Sequence, residues 1–566
     1  YGASSDVRLL YAEARVLRAL KWNDEAAGVY RQILQLKPSE RAAETALLAL
    51  LTAGGKRAEA LAQIDQAIVR LPGDDPDYLA DLTGNLLDLG DLDRAGQLSR
   101  LALARTPEHQ RTLDYAAQIA LLRDGEGAAI VPLQRAQAQA GLATPVSSLR
   151  QSAETGRLVL EQANAPLADA PSSGQYERIA EMLDQNGAWL ASAVDQKVRS
   201  GTAGTSRLRS TEIPLEWKKP LDGKTRLFVR GDVTHMDAGR LDLADPAQAE
   251  RFGSAMLCEP LCTDVLKQSV SGLALSAGVE RGPWKADLGT TPLGFKVRTL
   301  VGGVTYKGDL GPLGYSVEAS RRALSGSVLS YAGAVDPNTG KTWGGVTANG
   351  VRLGASLDQG GLVGGWASLG VHRLIGKNVL RNDRAQLMSG VVVRAINRDD
   401  VLLGIGLTGM LWRHSENAGE YTFGHGGYYS PEKYKSLSLP VTFAQRIGRL
   451  SYAVRGAVSR SRSETRAADY FPTDGALQAR AALLAEQNFT DARYDGGSGK
   501  SRGHALSIAV EYQVTPRLFA GARAELDRSP DYSPNRALLY FRYSLDRASA
   551  RPVDLLPQAV YPSSQN

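Results

Sequence analysis

Beyond residue 205 the chain changes side-chain character at every second position. Leu227, Val229, Gly231 and Val233 share one face of an extended segment, whereas Arg226, Phe228, Arg230 and Asp232 share the other. The division recurs further on. Leu450, Tyr452, Val454 and Val458 oppose Ser451, Arg455 and Ser459, and Leu506, Ile508, Val510 and Tyr512 oppose Ser507 and Glu511. Leu518, Ala520, Ala522 and Leu526 oppose Arg523 and Glu525 in the same way. With one face greasy and the other largely charged, each strand calls for two different solvents. A β-sandwich would bury the greasy faces against each other. A closed cylinder turns them toward lipid and keeps water inside, and it better suits many strands with charged inner faces.

Candidate strands lie near residues 207, 224, 269, 284, 298, 313, 349, 361, 386, 400, 419, 436, 449, 502, 516 and 536. That is roughly sixteen, an even number of the kind bacterial barrels adopt. Tight turns are expected at Asp222 and Gly223, at Gly311 and Pro312, from Asn397 to Asp400, and at Ile447 and Gly448. Long loops fall at 236–268, 322–348 and 460–501. Short turns at one end and long loops at the other suit an outer-membrane barrel.

The first part of the chain has a different period. Ala26, Tyr30 and Ile33 fall on one helical face that ends at Pro38. Ala60, Ile64, Ala67 and Pro72 repeat that spacing, and Ala95, Leu98, Ala102 and Pro107 do so again. The proline steps of about 34 residues match tetratricopeptide repeats, in which small residues let paired helices approach and the proline ends the second helix. A weaker fourth unit places Ala129, Leu133 and Ala136 in the same register, with Gly141 where the proline would stand. Helical hairpins capping something else are the plainer reading; the regular spacing favours a repeat array over 1–140, a docking surface or spacer. Residues 141–204 read as a linker, followed by an amphipathic helix with Ile179, Met182, Leu183, Leu190, Ala193 and Val194 on one face. The fold class is therefore α + β multidomain: an N-terminal α-solenoid of tetratricopeptide repeats followed by an antiparallel outer-membrane β-barrel of about 16 strands over 205–546.

Composition narrows the function. The 66 basic residues nearly balance 60 acidic ones, a net +6 spread along 566 residues, which argues against a nucleic-acid binder. No apolar run is long enough for a membrane helix. No signal peptide opens the chain at Tyr1, so the sequence is expected to be a mature or truncated form. Cys258 and Cys262 flank Pro260, and a loop disulfide is the first reading because two cysteines cannot build a zinc cage.

Catalytic chemistry finds little support. Gly499, Lys500 and Ser501 imitate the end of a phosphate loop, but Tyr494 occupies the leading glycine position and a strand pattern follows where a helix is needed. His109, His235, His372, His414, His425 and His504 are scattered, with no metal-binding pair, and no pairing of carboxylates is legible. Neither an enzyme nor a metal or cofactor is expected.

Two loops concentrate polar and aromatic groups. Residues 421–431 hold His425 between glycines beside Tyr428 and Tyr429, either a lumen-facing gate or a packed loop histidine. Residues 321–345 hold Arg321, Arg322, Tyr331, Asp336 and Trp343. Aromatic faces with Arg and Asp hydrogen-bonding groups could guide a sugar polymer without anchoring it; the plainer alternative is a folded loop with its own small core.

Several of these runs carry a family resemblance. Residues Thr290 to Phe295, Leu300 to Val304, Gly311 to Tyr315, Ser320 to Arg322, the 327–345 loop and the run Phe423 to Pro431 resemble the C-terminal domain of the cellulose synthase operon protein C family, over about 205–546. The resemblance implies an outer-membrane porin that exports the cellulose chain, a β-1,4-glucan, surrounded by outer-membrane lipid. It also implies periplasmic repeats that dock periplasmic or inner-membrane cellulose synthase subunits, or peptidoglycan. In that family the repeat array is much longer. The alternatives are an export porin for a poly-amino-sugar, which an acidic lumen would favour and Arg321, Arg322, Arg455 and Arg523 oppose, and a non-conducting carbohydrate-binding scaffold. The tail 547–566, with Pro552, Pro557 and Pro562, is expected to turn back into the lumen.

Overall fold

The structure, a computed structural model, describes residues 6–124 and 187–545 except 21, 55, 71–74, 223–224, 359–360, 399, 488–490, 516 and 529–533, together with 129, 131–132 and 135. The chain divides into two compact units, one helical and one built of strands.

The helical unit contains α1 (Val7–Ala19), α2 (Asn23–Leu36), α3 (Arg41–Ala53), α4 (Arg57–Arg70), α5 (Pro76–Asp88), α6 (Leu92–Arg105) and α7 (Gln110–Asp124). Asp6, Asp75 and Asp91 cap the amide ends of α1, α5 and α6 with their carboxylates, supplying acceptors for otherwise unpaired backbone N–H groups. The residues that set the sequence period are its core: Ala26, Tyr30 and Ile33 on α2, Ala60, Ile64 and Ala67 on α4, and Ala95, Leu98 and Ala102 on α6 are all buried. Ala129 of the fourth unit is buried too. Pro72, Leu133, Ala136, Gly141, the linker 141–174, Ile179, Met182, Leu183 and the tail 547–566 lie outside the described residues.

The second unit is a ring of sixteen antiparallel strands. In chain order they are β1 (Trp189–Arg199), β2 (Leu208–Pro220), β3 (Thr225–Asp242), β4 (Val265–Arg281), β5 (Trp284–Thr290), β6 (Leu300–Leu310), β7 (Leu313–Ala323) and β8 (Thr342–Leu357). They continue with β9 (Val363–Lys377), β10 (Asn382–Asn397), β11 (Val401–His414), β12 (Lys433–Ile447), β13 (Leu450–Thr465), β14 (Gly497–Gln513), β15 (Leu518–Arg528) and β16 (Pro534–Ser544). Each strand pairs with its sequence neighbours, and β1 pairs with both β2 and β16, from Trp189 opposite Ser544 to Arg199 opposite Pro534. The ring closes, so no edge strand is left over.

Side chains divide as the alternation predicts. Val229 and Val233 are 49% and 53% exposed on the outer face, while Arg230 and Asp232 between them are buried toward the interior. The short connections that follow β2, β4, β6, β8, β10, β12 and β14 fall at one end, and the loops that follow β3, β7, β11 and β13 at the other. Cys258 and Cys262 are joined by a disulfide in the first of these loops.

Two expectations are corrected. The amphipathic helix ending at Leu190, Ala193 and Val194 is strand β1, so the barrel begins at Trp189 and not at 205. Leu190 and Val194 satisfy a period of two as readily as helical spacing; closure against β16, more than three hundred residues away, decides between them. The candidate strand near 419 is instead part of the loop between β11 and β12. One gain and one loss leave the count at sixteen.

Candidate functional site

The interior wall of the barrel is polar, and most of its charges are paired. Arg322 on β7 chelates Asp287 on β5 through contacts of 2.5 and 2.6 Å, and Arg230 holds Asp232 at 2.9 Å. Glu280 gathers Lys218 at 2.7 Å and Lys285 at 3.2 Å. Across the closing seam Arg536 of β16 grips Asp195 of β1, with a shortest contact of 2.5 Å. Glu511 accepts from both Arg542, at 2.7 Å, and the Tyr540 hydroxyl, at 2.9 Å. A cavity of about 670 Å³ along the wall is lined by the groups around Arg322, Arg230 and Glu280 and by Tyr331 of the short helix Val328–Ala332; the Asp195 and Glu511 clusters are not part of its lining. Seven Lys or Arg side chains and six carboxylates line it, so this stretch is close to electroneutral.

A second aromatic group stands on the inner face near the long-loop end. Trp412 alternates with the outward Leu411 and Arg413, and its ring lies 5.8 Å from that of Tyr434. Tyr429, half exposed, meets Tyr434 edge to face at 6.2 Å. Trp412 and Tyr434 escaped the sequence reading. Their parity with Leu411 and Lys435 was the available signal, and it was obscured because strand-end aromatics equally suit a membrane interface.

The long loops fold on one another. Phe252, Leu329, Trp343, Phe423, Tyr428, Tyr470 and Phe471 belong to one buried cluster drawn from four loops and the adjoining strands. Trp343 is 0% exposed, with its ring 5.3 Å from Phe252 and 5.7 Å from Phe423. Asp336 is buried as a staple, accepting from the Ser254 amide at 2.5 Å and its hydroxyl at 2.7 Å, and from Thr339. The run 421–431 threads the middle. Phe423 N–H donates to the Gly253 carbonyl at 3.2 Å, and Ser327 Oγ donates to the Gly427 carbonyl at 2.7 Å. Gly424 and Gly427, at φ of +104° and +63°, supply left-handed conformations that a side chain would resist.

His425 sits wholly inside this core. Its Nε2–H donates to the Asp469 carbonyl at 3.0 Å, and its Nδ1 is buried without a partner among the described residues. Burial lowers its pKa to about 4, because a charged imidazolium would have to shed its water. The same burial pushes the phenols of Tyr470 and Tyr494 up, as it does the Tyr331 phenol.

Of the sequence candidates, Arg322 and Tyr331 line the cavity and Tyr429 is accessible beside inner-wall aromatics. Arg321 lies on the alternate, outer face and donates to Thr299 Oγ1 at 2.8 Å. Asp336, Trp343, His425 and Tyr428 are interior members of the loop core and not its surface; Tyr428 accepts a bond from Asn382 Nδ2 at 3.2 Å. The folded-loop alternative holds for these four, because their apolar contacts come from other loops.

Comparison with known proteins finds related sequences. A curated cellulose synthase operon protein C from Salmonella typhimurium is 36% identical over 387 residues, 68% of this chain and 32% of the relative. The protein of that name from Pseudomonas fluorescens is 30% identical over 571 residues, 96% of this chain and 43% of the relative. The chain thus spans a third to under half of these relatives. Among solved structures, a bacterial polysaccharide outer membrane secretin aligns at 12% identity over 64% of this chain and 99% of its own, with a TM-score of 0.41. Residues 206–546, which include strands β2 to β16 and all the loops just described, match the family described as Cellulose synthase operon protein C C-terminus, and the chain belongs to that family.

Proposed function

We propose that the barrel is an outer-membrane conduit through which a cellulose chain leaves the cell, and that the repeats are a periplasmic docking scaffold for synthase subunits or peptidoglycan. The observation that carries this reading is the closed two-faced wall, apolar outside and lined within by paired charges. A charge-matched wall offers hydroxyl-binding groups while giving a neutral glucan no net attraction to overcome. A poly-amino-sugar would gain from an acidic lining, and seven cations against six carboxylates do not provide one. Tyr331, Tyr429, Tyr434 and Trp412 add faces on which sugar rings can stack. With short turns on the periplasmic side, the loop core lies on the outer side, where it restricts the exit. No catalytic step is assigned to the chain.

The test is current through planar bilayers containing the full chain, with and without cello-oligosaccharides. It is run on the parent and on Trp343→Ala, which loosens the loop core. Conductance in either form that falls on adding cello-oligosaccharides supports the conduit. Properly inserted protein that passes no current in both forms, while still binding cello-oligosaccharides, would instead establish the scaffold reading.

A further inference from the structure

On the outer surface, strands β12, β13 and β14 change from apolar to basic along a sharp line. Leu437 and Leu439 of β12, Val458 of β13 and Leu506 of β14 are exposed on the outward face. Nearer the long loops, the outward positions are Lys435 on β12, Arg460 and Arg462 on β13, and, after His504, Arg502 and Lys500 on β14, all exposed, with Lys433 beyond them. The strand register stacks them. Lys435 lies opposite Arg462, which lies opposite Lys500, and in the next row Arg460 lies opposite Arg502.

Like charges directly opposite one another, with Cβ atoms about 5 Å apart, destabilise a sheet unless something neutralises them. Glu464 is the lone carboxylate on the outward positions of these strands among the described residues, and it is shared between Lys433 and Arg462, each at 3.2 Å. Lys435, Arg460, Lys500 and Arg502 have no carboxylate within ion-pair distance among the described residues. Lys435, Arg460, Arg462 and Lys500, with Ser436 and Ser461, line a shallow concavity of about 370 Å³.

We infer that these rows are a binding site for the phosphate groups of outer-leaflet glycolipid. The inference rests on the reading of the barrel as a membrane-inserted protein. Its grounds are charge and position: the cations begin where the lipid-facing apolar surface stops, at the depth of headgroups. A cation beside a membrane gains from each anionic headgroup it meets, and five in two adjacent rows can clamp more than one phosphate. Leu437, opposite Arg460, continues the apolar surface into the concavity, as acyl chains beneath a phosphorylated headgroup require.

The experiment compares the full chain with a variant carrying Arg460→Gln, Arg462→Gln and Lys500→Gln, and with the charge-keeping Lys435→Arg and Lys500→Arg pair. Each protein is mixed with liposomes containing bisphosphorylated lipid A or its dephosphorylated form. Flotation and heat-modifiable gel mobility report insertion, and native mass spectrometry reports retained lipid. Expected is retention of the phosphorylated lipid by the parent and the charge-keeping variant, weakened on the order of tenfold or more by the triple change. The triple variant should melt no lower than the parent in phosphate-free detergent, since it sheds repulsion, yet lower in phosphorylated lipid A. Equal retention by parent and triple variant, or of lipid A with and without phosphates, would overturn the inference while leaving the barrel in its membrane. Displacement by inorganic phosphate at matched concentration would also overturn it, in favour of a soluble anion. Failure to float with any liposome would refute the membrane reading itself.

Discussion

The imidazole of His425 and the ring of Tyr494 meet edge to face, with centroids 5.5 Å apart at an interplanar angle of 88°, and Tyr494 stacks in turn on Tyr470 at 4.2 Å. Tyr494 donates to Thr422 Oγ1, which donates to the Tyr470 carbonyl, so the 421–431 run and the 466–496 loop are joined by rings and hydrogen bonds together. The loop end of the barrel thus has a core of its own, packed with the same density rules as a domain interior.

That core should be acid-sensitive. With its folded pKa lowered to about 4 from 6.5, His425 must bind a proton more readily when the core opens. Its neutral form therefore stabilises the core fully above about pH 6.5, and this stability is lost as pH falls from 6.5 toward 4. Protection factors of the Phe423 to Tyr429 amides, corrected for the intrinsic pH dependence of exchange, should fall over that window, and His425→Gln should flatten the dependence. Identical protection factors at pH 7.5 and pH 4.5 in the parent would contradict the assignment.

Trp343→Ala should cost the loop core about 3–5 kcal/mol, the usual range for deleting a fully buried large aromatic. The strand ladder does not depend on the indole, so the barrel should keep its resistance to detergent denaturation. Limited proteolysis should cut within 243–264 or 466–496, and bilayer current should rise. A variant that loses the barrel along with the loops would show that the two are not separable.

Arg322→Gln leaves Asp287 without its chelating partner on the inner wall. Because the Arg322 side chain is 42% exposed, the stability change should stay within about 1 kcal/mol. The electrical effect should be larger, since the wall loses one positive charge. The reversal potential in a salt gradient should shift toward cation selectivity, and Asp287→Asn should shift it the opposite way.

Ala60→Leu tests the repeats. Ala60 is fully buried in α4, and three added carbons should force helices apart at a cost of about 1–3 kcal/mol. Calorimetry should show the helical transition lowered and the barrel transition unchanged, because the two units have separate cores. A common shift of both would mean that the units unfold together.

The sequence determined on its own whatever depends on one residue and its solvent. The helical face of Ala26, Tyr30 and Ile33, and the alternation of Val229 with Arg230, follow from a period that burial or lipid imposes locally, and both stand in the structure. The strand count agrees only because β1, which the pattern reads as a helix, offsets the loop segment near 419. Tertiary structure alone decided what depends on residues far apart along the chain. Leu190 and Val194 fit two periods until β16 closes on β1; Arg321 and Arg322 are chemically alike until register sends one outward and the other to Asp287. Trp343, His425 and Tyr428 read either as ligand-facing or as packed, because aromatic and imidazole groups serve both roles. They are buried because Phe252, Phe423 and Tyr494 arrive from other loops, and no local pattern encodes which neighbours a loop will meet.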